Sequence, residues 1–216
     1  MDYKIAEETE DLIVVEPSME VIDPPDYGQM MRKLELCGKT AYKAEGNMKE
    51  GSAEPFIRKI IQLGHESVLE HASITVKAVC DRGVTHEIVR HRIASYTQES
   101  TRYCNYATEK FKGRLWVVKP VFLEAGSEKY ALWKESMAYA ARAYKKMIEA
   151  KWRPEEARAV LPNSLKTEIC MTMNIREWRH FFRLRTEVNA HPQIREIAGM
   201  MLGRFKADYP ALFSDI

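Results

Sequence analysis

Between Arg90 and Tyr103 the chain reads Arg-His-Arg-Ile-Ala-Ser-Tyr-Thr-Gln-Glu-Ser-Thr-Arg-Tyr, and this stretch limits what the rest of the fold can be. It holds three guanidiniums (Arg90, Arg92, Arg102), the imidazole of His91, a run of Ser, Thr and Tyr hydroxyls and one amide. Only Ile93 and Ala94 are plainly apolar. A core element cannot bury three guanidiniums without partners, and a solvated helix face has no use for so many hydroxyls. Guanidinium forks match phosphate and planar carbonyl edges two bonds at a time, and hydroxyls complete a polar pocket around such a ligand. The segment therefore reads first as a binding site for a phosphorylated, hydrogen-bonding ligand. Contact with a nucleic-acid backbone and internal ion pairing are the alternatives.

The fold must hold that segment open beside a real core. With 216 residues, 45% of them hydrophobic and 30% charged, the chain is globular in composition and long enough for one large domain, here expected over residues 1–216. No apolar run reaches the roughly 18–20 residues that span a bilayer. The acidic start lacks the apolar core of a signal peptide. Cys37, Cys80, Cys104 and Cys170 lie far apart with no paired spacing, which disfavours a disulfide framework or a structural zinc site. A soluble, cytoplasmic chain with reduced thiols is the expectation.

Strands are expected at Leu12–Glu16, at Ala72–Val79 (Ile74, Val76 and Ala78 on one face) and at Leu115–Val118, which Pro120 stops. Asp26 is placed to cap a helix reaching Tyr42, Pro55 opens one ending at Gly64, and a turn at Asp81-Arg82-Gly83 leads to a helix over Val84–Arg90. Ser127 caps a long helix to about Lys151 with Leu132, Tyr139, Ala143 and Met147 inward. Further helices start at Pro154, at Ile175 and at Pro192, the last with Ile194, Ile197, Met201 and Phe205 inward. Helices dominate without regular strand–helix–strand alternation, so the class is α+β, helices around a small antiparallel sheet.

Charge is unevenly spread. Residues 1–25 carry eight acids against one base, residues 82–119 eight bases against three acids, and residues 142–206 fourteen bases against seven acids. Two basic tracts point to an anionic partner. Neither a dinucleotide-binding glycine motif nor a P-loop is present. His86 and His91 imitate a zinc-binding helix motif but lie five residues apart, about 140° around a helix, and His65 and His71 are also poorly spaced. No metal is expected. Gly199 and Gly203, four apart, suit close helix packing.

Arg90-His91-Arg92, seven residues, Ser100, then Thr101-Arg102-Tyr103 resembles the signature of the flavin-dependent thymidylate synthases, the ThyX family. Its flanks agree: Gly64-His65-Glu66-Ser67 through Glu70-His71, Ala157-Arg158-Ala159-Val160-Leu161-Pro162, and Asn174-Ile175-Arg176 through Leu184-Arg185 each resemble a family segment. The resemblance implies conversion of dUMP to dTMP, with methylenetetrahydrofolate as carbon donor and NADPH as reductant through bound FAD. It also implies a homotetramer with active sites shared between subunits, and no nucleic-acid or membrane partner. A nucleic-acid-binding module using the Arg90–Arg102 tract stands as the alternative.

Carried onto this chain, the resemblance assigns His65, Ser67, Arg90, His91, Arg92, Gln98, Asn174, Arg176 and His180 to FAD. It assigns Glu87, Arg90, Gln98, Glu99, Ser100, Thr101, Arg102, Arg158 and Arg185 to dUMP. Arg185 and Ser100 are the implied catalytic positions. Arg185 would favour the ionised pyrimidine electrostatically and cannot itself act as a base. Ser100 has no adjacent base to make it a nucleophile, so a hydride mechanism is the better reading. Nothing local except basic charge favours a Cys104 thiolate. The chain departs from some family members in carrying Gln98 two residues before the motif serine, with the carboxylate at Glu99, and in carrying Glu87 where those have Gln.

Overall fold

The computed structural model describes residues 3–216, so Asp2 of the acidic front lies outside the described residues. The chain forms two compact units, each gathered from separate stretches: residues 3–20, Ala78–Arg90 and Thr97–Cys170 in one, Val21–Lys77, His91–Tyr96 and Met171–Ile216 in the other.

The first unit contains a three-stranded sheet of β1 (Ile5–Glu8), β2 (Leu12–Val15) and β6 (Leu115–Val118), in the order β1-β2-β6. The runs Leu-Ile-Val-Val and Leu-Trp-Val-Val are apolar throughout because both faces are covered. Leu12, Val14, Leu115 and Val117 pack with Tyr106, Tyr144 and Leu165, while Ile13, Val15, Trp116 and Val118 face Tyr3 and Phe111. β1 pairs with β2 antiparallel, but β2 and β6 run parallel in the register Leu12 to Leu115.

The expected α+β class holds; among the described residues there are two sheets instead of one, and the three-stranded sheet contains a parallel pair. In the four-stranded sheet β3 (Ser18–Ile22), β4 (Ser73–Asp81), β7 (Lys166–Asn174) and β5 (Ala94–Gln98) lie in the order β3-β4-β7-β5, each strand with a portion in each unit. The alternation read at Ile74, Val76 and Ala78 is real, all three being buried.

Several helix starts follow side-chain capping. Asp26 accepts from the Gln29 amide at 2.7 Å to start α1 (Tyr27–Thr40), and α2 spans Ala53–Gln62. No turn intervenes after β4: Asp81 accepts from the Val84 amide at 2.8 Å, and α3 (Arg82–Ile88) begins at once. Ser127 caps α4 (Glu128–Glu149), and of the residues expected inward Met147 packs against the core and Ala143 is half-buried, while the other two are not inward. Leu132 and Tyr139 are 58% and 73% exposed, and the buried positions are Tyr130, Ala141 and Tyr144. Amphipathic tyrosines hold that face, with the Tyr130 hydroxyl donating to Glu7 at 2.8 Å. A single turn, α5 (Pro154–Ala157), follows.

In the second unit α6 (Ile175–Arg185), α7 (Pro192–Asp208) and α8 (Pro210–Phe213) enclose an aromatic cluster of Trp178, Phe181, Phe182, Phe205 and Phe213. Ile194, Ile197, Met201 and Phe205 are inward as expected. Gly199 and Gly203 are exposed, and among the described residues nothing outside their own helix backbone lies within 4 Å of where their Cβ atoms would be.

Candidate active site

In the first unit β5 leads into the segment that the sequence singled out. Gln98 Nε2 donates to Thr85 Oγ1 at 3.1 Å and Thr167 Oγ1 at 3.2 Å, tying it to α3 and β7. Glu99 is anchored just as firmly. Lys166 Nζ donates to its carboxylate at 2.8 Å and to Glu168 at 2.9 Å, and the Tyr106 hydroxyl donates to Glu99 at 3.0 Å. The two carboxylates raise the Lys166 pKa against the opposing effect of burial. Gln98 and Glu99 thus grip the protein from either side of a rigid pedestal that holds Ser100.

Beyond it, Ser100 is half-buried and its Oγ accepts from the Arg102 amide at 3.3 Å. Thr101 is buried and lies 3.4 Å from Arg158 Nη1. Arg102 pairs with Glu155 at 3.0 Å, its side chain 57% exposed. Such an exposed pair contributes at most about 1 kcal/mol, so an arriving phosphate displaces it at small cost. Arg90 is exposed and Glu87 half-buried. Burial and the Glu99 charge push the Cys104 thiol up, opposing thiolate chemistry.

In the second unit β7 runs straight into α6. Asn174 Oδ1 accepts from the Glu177 amide at 2.8 Å, so part of the Asn174 side chain is a helix cap. Along one face of α6, Glu177, Phe181 and Arg185 follow at four-residue spacing, and they surround His91. Its Nδ1 lies 3.1 Å from Glu177 Oε1, its ring meets Phe181 edge-on at 5.0 Å between centroids, and Arg185 Nε donates to its Nε2 at 3.1 Å. The Tyr96 hydroxyl donates to the His91 carbonyl oxygen at 2.6 Å. Burial first, then the Arg185 and His180 charges, lower the His91 pKa to about 4, while burial raises that of Glu177. His91 is therefore neutral and enclosed, with both ring nitrogens engaged by protein groups.

His91, Glu177 and His180 also bring three ligating atoms within 4.8 Å of one another. The guanidinium at His91 Nε2 opposes a cation there.

The remaining expected flavin contacts face outward: His65, Ser67, Arg92, Arg176 and His180 are exposed. A cavity of about 410 Å³ is lined by Tyr42, Phe56, His65, Ser67 and Arg176. Arg176 pairs with Glu70 at 2.6 Å, both half-exposed. Aromatic walls beside imidazole, hydroxyl and guanidinium donors suit an aromatic ring system carrying phosphates, so the residues present fit a flavin nucleotide. Glu177 and Lys166 escaped the sequence reading. A carboxylate three residues after a capping Asn is a common helix-start pattern, so nothing marked Glu177 as special.

A family model described as "Thymidylate synthase complementing protein" matches residues 26–211. The chain belongs to the flavin-dependent thymidylate synthase family. It is 40% identical over 170 residues to the flavin-dependent thymidylate synthase of Pyrococcus furiosus, covering 78% of this chain and 69% of that protein. The enzyme of the same description from Geobacter sulfurreducens is 40% identical, covering 74% and 68%. That of Mycolicibacterium gilvum is 34% identical over 217 residues, covering 92% and 84%. Against several other relatives the chain spans only 61% to 64% of their length. The fold is similar to that of the UMP/dUMP methylase PolB from Streptomyces cacaoi, solved with 5-Br dUMP. The TM-score is 0.76 at 22% identity, with 94% of this chain and 95% of that one covered.

Proposed function

We propose that this chain is a flavin-dependent thymidylate synthase that methylates dUMP to dTMP, with FAD as its flavin, methylenetetrahydrofolate as carbon donor and NADPH as reductant. The observation that carries the proposal is the family signature at Arg90–Tyr103, whose Ser100 end is anchored through Gln98 and Glu99, within a chain matched by the family model over residues 26–211. Bound flavin would supply hydride transfer, recharged by NADPH.

The chain's own residues do the rest. Arg102 exchanges its weak pair with Glu155 for the nucleotide phosphate, and Arg158, Thr101 and Ser100 complete that contact, with Arg90 and Glu87 at its border. Arg185 sits in the last turn of α6, where the helix dipole favours a cation, and its charge favours the ionised pyrimidine. His65, Ser67 and Arg176 line the cavity for the flavin, with Arg92 and His180 as further donors. Gln98, Glu99, His91 and Asn174 hold these groups in place. In this reading residues 1–216 work as one catalytic domain, assembled as a cytoplasmic homotetramer. Among the described residues no helix is long and apolar enough to cross a membrane.

The test is product analysis. Protein reconstituted with FAD and given dUMP, methylenetetrahydrofolate and NADPH should form dTMP at a rate that vanishes when any one is omitted. Failure to form dTMP with all present contradicts the proposal.

A further inference from the structure

Arg185 Nε is a donor that never gives up its proton, so the His91 Nε2 it meets at 3.1 Å must be the bare, accepting nitrogen. A neutral imidazole with Nε2 bare carries its proton on Nδ1, and Nδ1 lies 3.1 Å from Glu177 Oε1. One arrangement of protons satisfies both bonds: Nδ1–H donates to Glu177, and Nε2 accepts from Arg185. The ring is enclosed. His91 is 4% exposed, packed edge-on against Phe181 and, at 5.4 Å between centroids, against His180.

We infer that Glu177 and His91 are positioning residues for Arg185: Glu177 selects the His91 tautomer whose free nitrogen fixes the direction of the guanidinium. The inference rests on the reading of Arg185 as the group facing the pyrimidine and adds how it is aimed. Its logic is that of a carboxylate orienting an imidazole which in turn orients a charged centre. Removal of the carboxylate frees His91 to protonate Nε2. Two donors then face each other, and the guanidinium turns away. Because all three α6 residues share one face, the device needs no movement of the backbone.

The test has two parts. In the first, two-bond proton–nitrogen correlation on histidine-labelled, otherwise unaltered protein, with the His91 resonances assigned by their loss in His91→Gln, should show the Nδ1–H form at neutral pH. An Nε2–H ring or an imidazolium there overturns the inference. So does a one-to-one Zn²⁺ complex that abolishes the Nδ1–H signal, which would make the cluster a cation site. This part reads correctly even if the protein forms no dTMP, so failure of the proposed function and failure of the relay are distinguishable.

In the second part, Glu177→Leu should lower kcat by roughly 10–100-fold with KM for dUMP changed less than about threefold, and Glu177→Gln, which keeps an acceptor, should restore kcat to within about threefold. Equal losses in both variants, or no loss in Glu177→Leu, overturn it. Should Glu177→Leu fail to fold, the tautomer of the unaltered protein and the kcat of Glu177→Gln still decide.

Discussion

Arg185 and His91 show how far the chemistry of single residues is set by their surroundings. Arg185 is half-buried at a helix end, so its loss removes charge without opening a core cavity. Arg185→Ala should cut turnover by more than about a hundredfold while thermal melting moves by only a few degrees. Melting lowered as far as in a Phe182→Ala protein, with turnover kept, would contradict this. His91 carries a pH signature. It stays neutral in the fold down to about pH 4, whereas an unfolded imidazole takes up its proton near 6.5. Between those values the unfolded state binds more protons, so stability falls as pH drops from about 6.5 towards 4. The raised Glu177 carboxyl works in the opposite sense, its contribution being lost as pH rises through its folded value, and so offsets part of the His91 effect. Denaturant melts across that range should show the slope, and His91→Gln should flatten it. Arg185 was legible in the sequence because it stands in a recognisable segment. Glu177 was not, because its role exists only once α6 lays it against a residue 86 positions away.

At the level of elements, strand β7 is the largest omission from the sequence reading, although Thr167, Ile169, Met171 and Met173 are buried on alternate positions. Its outward positions explain the omission: Lys166 and Glu168 look like surface charge, but Lys166 is buried beneath Glu99. β5 was hidden in the same way, inside a segment so polar that it read only as a site. By contrast β2 and β6, in the other sheet, read correctly because they are apolar on every residue. Whereas the capping residues of α1 and α4 were legible, the faces of α4 were not, because buried tyrosines outcompete an exposed leucine there. The Lys166–Glu99–Glu168 cluster gives a test at this scale. Lys166→Met leaves two carboxylates beneath the Ser100 loop without their cation and should cost about 3–5 kcal/mol, while adding Glu99→Leu to it should recover part of the loss. Chemical denaturation of the two proteins checks it, and a loss that the second change deepens would be the contrary result.

For the whole molecule, the opposed charge tracts acquire a structural meaning. Part of the acidic front is paired within the first unit: Glu7 pairs with Lys134, Glu8 with Arg114 at 2.8 Å and Lys112 at 3.4 Å, and Asp11 with Arg142 at 2.6 Å. In the second unit Arg179 is fully buried against Glu66 and Asp215, and Arg183 reaches Glu66. Part of the basic excess is therefore committed internally, and the family match gives no support to the nucleic-acid alternative. Arg90, Arg92 and Arg158 keep exposed side chains, and Arg102 is held only by its exposed pair with Glu155. The measurement that bears most directly on this account is the visible spectrum of the purified protein supplied with FAD. The account predicts a stable flavin absorbance that bleaches on adding NADPH and returns when dUMP and methylenetetrahydrofolate follow without oxygen. A protein that stays colourless after reconstitution, or whose flavin is not bleached, would contradict it.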